Sequence, residues 1–234
     1  PVVDVMSGEV RTRGGGRRMG HPGTGEEVPD PEDQVVIYKY LNARAAEWPE
    51  ADYVVSNPPF IGTRRIRESL GDGYTETLRE IYSEIPETVD YVMYWWHKAA
   101  RLTGFKHLLK FGLITTNTIR QTWQRTVIET HLRSKAHPVE IRFAIPDHPW
   151  SEKGAAVRIS MTTGEPARSK EHAHLSTIGI VTAEKENILI PEESSDETYL
   201  QWKRVGKIFS NLRSGANVNS SKSLQANSKL ASTG

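Results

Sequence analysis

The sequence predicts an α/β fold, built on a mostly parallel sheet that ends in an antiparallel hairpin. Short apolar runs typical of buried parallel strands recur, as at residues 53–55 and 111–114. Segments with apolar residues at helical spacing lie between the predicted strands, most clearly at 89–102. Residues 139–145 and 155–162 then alternate apolar and polar side chains around a loop, which is typical of an antiparallel hairpin.

Composition limits the class of protein. The chain has 234 residues, enough for a domain with a core, and a net charge of +1, so any nucleic-acid surface must come from local clusters. Because there is no cysteine, a disulfide scaffold, a thiolate metal site and a cysteine nucleophile are excluded. No apolar stretch approaches the ~20 residues that span a bilayer. We therefore expect a soluble, cytoplasmic protein.

Three regions are predicted along the chain. Residues 1–34 are rich in Gly, Pro and Arg and should form an irregular loop region, with the glycine triplet at 14–16 as a flexible turn. Residues 35–165 carry most of the predicted strands and helices. Residues 166–234 become polar and predict an extension or linker toward another domain, with a strand pair expected near 176–190.

Two helical segments frame the central part of this organisation. Residues 64–78 are expected to be helical in parts, with an interruption at 71–73. A strongly apolar helix should begin at Pro86, with acidic residues in its first turn, and end near Gly104. Its spacing places at least one of the adjacent tryptophans, Trp95 and Trp96, in the core rather than against a ligand.

The most informative feature is the tetrapeptide Asn57-Pro58-Pro59-Phe60, which follows an apolar run. Two consecutive prolines end a strand because they lack the N–H of the ladder, so Asn57 should lie at the carboxyl edge of the sheet. The Asn57 side-chain oxygen and the Pro58 carbonyl can both accept hydrogen bonds from an amino group, while Phe60 stacks on its ring. Such acceptance would activate the nitrogen toward a methyl group. The alternative is a Pro-Pro turn with Phe60 in the core.

This tetrapeptide resembles the motif of amino-methyltransferases that use S-adenosylmethionine. The chain as a whole is similar to the MmeI-type family, large single-chain bacterial restriction–modification enzymes that methylate adenine in DNA. The similar segments are AEWPEAD at 46–52, NPPFIG at 57–62, ESLGDGY at 68–74, VMYWWHKAA at 92–100, GLITTN at 112–117, FAIPDHPW at 143–150 and GAAVRISMT at 154–162.

The resemblance implies a Rossmann-like methyltransferase sheet and S-adenosylmethionine as cofactor. It implies methyl transfer to the exocyclic N6 of an adenine flipped out of double-stranded DNA, in a restriction–modification or phage-defence system, without a metal. In this family the glycine loop for the cofactor precedes the tetrapeptide, yet no acidic Gly-x-Gly turn follows a strand upstream of Asn57. The chain starts at Pro1 without a methionine and stops among polar residues. We therefore expect a central piece of such an enzyme, inactive alone.

The resemblance also assigns residues to roles. Asn57, Pro58, Pro59 and Phe60 are the expected catalytic residues. Trp150, predicted in the loop before the last hairpin strand, would stack on the other face of the flipped base, or else cover the edge of the core.

Contacts with cofactor and DNA are further expectations. Asn42, near the end of a predicted strand, and Ser56 are the cofactor candidates. The candidates for DNA binding follow the tetrapeptide or the strand at 111–114, and they are Arg64, Arg65, Arg67, Asn117 and Arg120. A solvated helix start explains the first three equally well. The eight histidines show no spacing typical of a metal site, so none is expected.

Two other functions stay open at this point. Asn-Pro-Pro-aromatic tetrapeptides also occur in amino-methyltransferases that act on a protein glutamine or an RNA base. Because the cofactor loop is not evident, the chain could instead be a non-enzymatic fragment that binds DNA weakly or acts as a scaffold.

Overall fold

The computed structural model describes residues 9–152, 155–168, 178–185 and 199–214. The chain divides into two compact units, one made of Pro1–Pro49 and Pro59–Tyr94, the other of Glu50–Pro58 and Trp95–Gly234. Helices and strands occur in both units, which confirms the α/β composition. No helix in the described ranges is long and apolar enough to cross a membrane.

The first unit begins with two small antiparallel ladders. Strand β1 (Thr12–Gly14) pairs with β4 (Gln34–Val36), and β2 (Arg18–Gly20) pairs with β3 (Glu27–Pro29). The region predicted to be irregular therefore contains short strands. The glycine triplet leaves β1 and packs tightly on Asp33, because a Cβ at Gly15 would lie 2.4 Å from the Asp33 carboxylate oxygens. This close approach explains the glycine without any bound phosphate.

The helices of the first unit are short and interrupted, as predicted. A 3-10 helix at Thr63–Arg65 leads into α1 (Ile66–Leu70), and α2 follows at Asp72–Ile81. Gly71, between α1 and α2, has a φ of 82°, a left-handed conformation that favours glycine. Glycine is also required at Gly73, where a Cβ would lie 1.9 Å from the Tyr38 carbonyl oxygen.

The second unit contains a six-stranded mixed sheet in the order β10-β9-β7-β8-β6-β5. Its strands are β5 (Tyr53–Ser56), β6 (Lys110–Thr116), β7 (Val139–Glu152), β8 (Ala155–Pro166), β9 (Ile178–Lys185) and β10 (Tyr199–Val205). The β5–β6 and β7–β9 pairs are parallel, and the other three neighbouring pairs are antiparallel.

The predicted hairpin is confirmed as β7 and β8, but it changes the sheet more than expected. Strand β8 inserts between β6 and β7, so these two run in the same direction without being neighbours. For that reason parallel pairs are not the majority among the described strands, and the mostly parallel sheet is a wrong expectation. Two strands, β9 and β10, come from the region predicted as an extension or linker.

Helix α3 (Val92–Gly104) begins later than predicted. The acidic residues expected in its first turn have other partners: Asp90 accepts a hydrogen bond from the Thr63 N–H at 3.0 Å, and Glu87 pairs with Arg79 at 2.8 Å. The segment before Val92 consequently forms turns. The predicted end at Gly104 is confirmed, and a Cβ there would lie 2.7 Å from the His137 carbonyl oxygen.

The core of the second unit centres on Trp96, which is fully buried. The indole Nε1 donates a hydrogen bond to Thr162 Oγ1 at 3.1 Å, and the ring stands edge-on to Phe111 with centroids 5.4 Å apart. Trp95 is half-buried. The prediction that at least one of the two tryptophans belongs to the core is confirmed. Helix α4 (Thr122–Leu132) follows β6 and ends with buried His131 close by this core.

A buried histidine pair makes the stability of this unit depend on pH. His131 Nε2 lies 3.1 Å from His97 Nδ1. Burial, with the charges of His97 and Arg101, lowers the pKa of His131 from 6.5 to about 4. The unfolded chain binds a proton on His131 more readily than the folded chain does. The stabilising contribution of neutral His131 is therefore complete above pH 6.5 and is lost as the pH falls toward 4.

We expect this loss to reach up to about 3 kcal/mol in the free energy of unfolding. Urea denaturation across this pH range measures it, and His131→Gln should flatten the dependence. His107→Gln, at an exposed histidine, is the control and should keep the dependence of the unaltered chain. Equal pH profiles for the unaltered chain and His131→Gln would contradict the assignment.

Candidate functional site

The carboxyl ends of β5, β6 and the first part of β7 meet at one edge of the sheet. Strands β5 and β6 are parallel, with Ser56 opposite Leu113, so the residues that follow them leave the sheet on the same side. Strands β6 and β7 are both antiparallel to β8, so β7 advances toward the same edge. We call this place the C-terminal edge. It is formed in the second unit by Asn57, the turn at 117–120 and residues 146–150.

The tetrapeptide begins directly where β5 ends. Asn57 is exposed, Pro58 is buried, Pro59 is exposed and Phe60 is half-buried. The missing N–H groups of the two prolines explain why the strand stops at Ser56. The first two residues of the motif belong to the second unit and the last two to the first unit. Their catalytic roles stay predictions.

The turn after β6 is joined to β7 by a carboxylate. It is a 3-10 helix at Asn117–Arg120. Asn117 Nδ2 donates to Asp147 Oδ1 at 3.2 Å, and Arg120 Nη2 lies 3.8 Å from Asp147 Oδ2. The structure thus brings together two residues predicted to bind DNA, on an aspartate that the sequence did not single out.

A β-bulge gives Asp147 this position. Strand β7 advances from Ile145 to His148 while β8 advances only from Met161 to Ile159, so β7 carries one extra residue there. Ser160 Oγ holds the bulge by donating to the Pro146 carbonyl at 2.6 Å. Bulges of this kind turn a side chain to a new direction and are common near active sites.

Asp147 is ionised in this environment. Arg158 Nε donates to Asp147 Oδ1 at 2.6 Å. Burial alone would raise the pKa of Asp147, but the hydrogen bonds from Arg158 and Asn117 and the charges of Arg158 and Arg120 outweigh it, so the pKa lies below its usual value. The contacts of Asp147 come from two other segments of the chain, so the residues next to it in the sequence do not identify this site.

Trp150 lies within β7, opposite Val157, rather than in the loop where it was predicted. The reason is the bulge between Ile145 and His148. Pro146 lies within it, where no N–H is needed for the ladder, so β7 continues beyond the proline. The side chain of Trp150 is half-buried. Its stacking role stays a prediction.

The arginines after the tetrapeptide belong to the first unit and differ in their engagement. Arg67 pairs with Asp72 at 3.2 Å and with Glu76, and the hydrogen bond to Glu76 raises its pKa. Arg65 lies 3.8 Å from Glu68. Arg64 is exposed and makes no salt bridge within the described ranges. The charge of Arg67 is therefore compensated within the unit, and the DNA-binding roles of the three arginines stay predictions.

The cofactor candidates do not form a complete site. Asn42 is exposed, with a left-handed φ of 55°, and the strand expected to end near it ends at Val36 and pairs with β1. The strand argument for Asn42 is therefore lost, and its role stays an untested prediction. Ser56 is half-buried at the end of β5, in the other unit. Across the described ranges no strand leads into an acidic glycine turn, so the residues present do not fit S-adenosylmethionine by themselves.

Two further observations concern ligands. No group of three or more His, Asp or Glu side chains in the described part of the chain is arranged to hold a metal ion.

A cavity of about 310 Å³ is lined by Tyr53, Val55, Lys110 and neighbouring residues. Since Tyr53 and Lys110 are register partners at the start of β5, this cavity lies toward the opposite end of that strand from Asn57.

Comparison with known proteins agrees with the sequence resemblance. The family model of the MmeI DNA-methyltransferase domain matches residues 29–175, more than half of the chain. The chain is also similar to a solved structure of the Type IIL restriction-modification enzyme MmeI in complex with DNA. The TM-score is 0.50 and the sequence identity 19%, covering 71% of this chain and 20% of that enzyme. No curated protein matches the chain. The chain belongs to the family of MmeI DNA-methyltransferase domains.

Proposed function

We propose that this chain is the base-handling part of a site-specific DNA methyltransferase in a restriction–modification or phage-defence system. The reaction would transfer a methyl group from S-adenosylmethionine to N6 of an adenine flipped out of duplex DNA. Family membership supports a DNA methyltransferase, and the tetrapeptide supports an amino group as the acceptor. The observation that carries the proposal is the exposed Asn57 directly after β5, at the C-terminal edge.

The proposed mechanism is positioning of the extruded base. Extrusion costs a few kcal/mol of stacking and pairing, which a pocket offsets by stacking and by hydrogen bonds to the edge of the base. Asn57 Oδ1 and the Pro58 carbonyl oxygen would each accept a hydrogen bond from one N6–H of the adenine. These two hydrogen bonds would orient the lone pair of the nitrogen. Phe60 would stack on one face and Trp150 on the other. These groups act by orientation and electrostatics.

The cofactor half of the reaction requires residues beyond those described. We infer that the six-stranded sheet is part of a Rossmann-like methyltransferase domain whose cofactor loop is not among the described residues. We therefore expect no detectable heat when S-adenosylmethionine is titrated into the 234-residue chain. Circular dichroism of the same sample is the control for a folded chain. Saturable binding at one site per chain would contradict this expectation and indicate that the chain itself holds the cofactor loop.

A methyl-transfer assay on the complete enzyme tests the proposed reaction. Labelled S-adenosylmethionine is supplied with duplex DNA, with RNA or with protein extract as the acceptor. We expect label in duplex DNA only, and none when every adenine of the duplex already carries an N6-methyl group. Transfer to RNA or to a protein glutamine would favour the other amino-methyltransferases. No transfer to any acceptor would favour a non-enzymatic DNA-binding role, with which the incomplete cofactor site agrees.

A further inference from the structure

Trp123 presents a large aromatic surface to solvent. Its exposed fraction is 63%, whereas the other four tryptophans between residues 9 and 152 are half-buried or buried. Its indole ring makes no hydrogen bond or ring contact with another residue of the described ranges. Single exposed apolar side chains are common on protein surfaces, so the position and the neighbours of Trp123 have to decide its role.

The exposure of Trp123 follows from the way α4 packs. The side chains that this helix buries are Gln124, Val127, Ile128 and His131. Trp123 lies on another side of the helix, together with the exposed Thr126 and Thr130, three and seven positions later. Thr126 Oγ1 also donates a hydrogen bond to the Trp123 carbonyl oxygen. Trp123 could reach the core only if α4 rotated, and that rotation would expose the side chains that are now buried.

Trp123 lies at the C-terminal edge of the sheet. Strand β6 runs into the 117–120 turn, and α4 then begins at Thr122, so Trp123 belongs to the first turn of the helix. Because β5 is the parallel neighbour of β6, Asn57 leaves the sheet on the same side. The exposed indole and the exposed amide are therefore at one edge of the second unit.

The sequence around Trp123 favours an anionic partner. Residues 117–128 contain two arginines, Arg120 and Arg125, and no aspartate or glutamate. One carboxylate from another segment, that of Asp147, lies 3.8 Å from Arg120 Nη2. The first turn of α4 has no acidic residue, so the positive end of the helix dipole lies beside the ring. An aromatic face next to basic side chains is the combination with which proteins stack on the bases of nucleic acids.

We propose that Trp123 contacts the DNA substrate by stacking on a base that becomes exposed beside the flipped adenine. This inference rests on the proposed function, which supplies duplex DNA and the extrusion of a base. Extrusion leaves the neighbouring bases partly unstacked. A ring at the same edge that covers one of them would offset part of this cost, as apolar side chains inserted between base steps do. Its role differs from those of Phe60 and Trp150, which are proposed to stack on the adenine itself.

Fluorescence anisotropy with two labelled duplexes tests this contact. The duplexes are identical, except that one adenine of the second duplex lies opposite an abasic site, so part of the unpairing cost is removed before binding. Trp123→Ala should weaken binding of the 234-residue chain to the second duplex about fivefold to 150-fold, the range for one stacked base. The salt slope between about 50 and 200 mM should stay the same, because stacking neutralises no phosphate.

Three further variants separate stacking from other effects. Trp123→Phe keeps an aromatic face and should lose less affinity than Trp123→Ala. Trp123→Leu keeps apolar surface without an aromatic face, so it should lose nearly as much as alanine. Tyr53→Ala is the matched control, since Tyr53 is an aromatic residue of the same unit, 61% exposed, at the start of β5 and away from Asn57. It should keep the affinity of the unaltered chain, and circular dichroism should show that all variants are folded.

Each other outcome would count against the proposal. Unchanged affinity in Trp123→Ala would overturn it and favour a contact of the ring with another part of the complete enzyme. Equal affinities of the leucine and phenylalanine variants would exclude stacking. A salt slope reduced by about 0.9 in Trp123→Ala would indicate a lost phosphate contact instead. If the unaltered chain bound neither duplex, the contact would be refuted as well, whereas the methyl-transfer assay decides separately whether the complete enzyme methylates adenine.

Discussion

Replacement of Asn57 by alanine is expected to abolish methyl transfer by the complete enzyme, with a loss in kcat of at least about 10²–10³-fold. The side-chain oxygen is one of two acceptors proposed to orient the amino group, and alanine offers none. Because Asn57 is exposed and follows the end of β5, its removal leaves the core untouched. Transfer of labelled methyl groups to duplex DNA under saturating substrate measures the loss.

Asn57→Asp is the matched variant for this experiment. Aspartate keeps an oxygen acceptor at the same place, so it should retain more activity than alanine. Circular dichroism and the urea midpoint of both variants should equal those of the unaltered chain, because the change lies at the surface. Near-normal methylation by Asn57→Ala would exclude the proposed role of the tetrapeptide.

The features predicted correctly are those that short-range chemistry decides. Strand β5 and its end were predictable because an apolar run precedes two prolines, which cannot pair in a ladder. The break between α1 and α2 was predictable from Gly71 and its neighbours. Helical spacing alone assigned at least one of Trp95 and Trp96 to the core, and Trp96 is fully buried. Each of these predictions depends on residues within a few positions of one another.

The features missed depend on partners far along the chain. Helix α3 does not begin at Pro86, because the Asp90 carboxylate accepts a hydrogen bond from the N–H of Thr63, more than twenty positions earlier. The pairing of β1 with β4 joins residues that no local pattern connects. The position of β8 between β6 and β7 likewise depends on which strands pair. The alternation of apolar residues within a strand does not specify its neighbours in the sheet.

The candidate site shows the same division. Asn57 was identified from its neighbours in the sequence, whereas Asp147 was not, because its value lies in contacts with Asn117 and Arg158 from two other segments. Trp150 was placed in a loop because Pro146 normally ends a strand, and only the bulge shows how β7 continues. A local motif therefore singled out Asn57 as a candidate, whereas only the structure shows that Asp147 contacts Asn117 and Arg158.

Replacement of Trp96 by alanine should destabilise the chain by about 3–5 kcal/mol, a large share of the stability of an ordinary domain. The side chain is fully buried against Phe111, and its removal leaves a cavity that the sheet cannot fill. Thr162 Oγ1, itself buried, also loses the indole N–H that donates to it. Urea denaturation followed by circular dichroism measures the loss, since fluorescence changes when a tryptophan is removed.

Two companion variants separate the causes of this effect. Trp96→Phe keeps an aromatic ring beside Phe111 but removes the donor to Thr162, so it should cost less, about 1–3 kcal/mol. Trp95→Ala removes a neighbouring, half-buried tryptophan from the same helix and should cost less than Trp96→Ala. If Trp95→Ala were as destabilising as Trp96→Ala, the assignment of Trp96, and not Trp95, to the helix face that packs on the sheet would be wrong. An effect of Trp96→Phe equal to that of Trp96→Ala would instead assign the whole loss to the hydrogen bond.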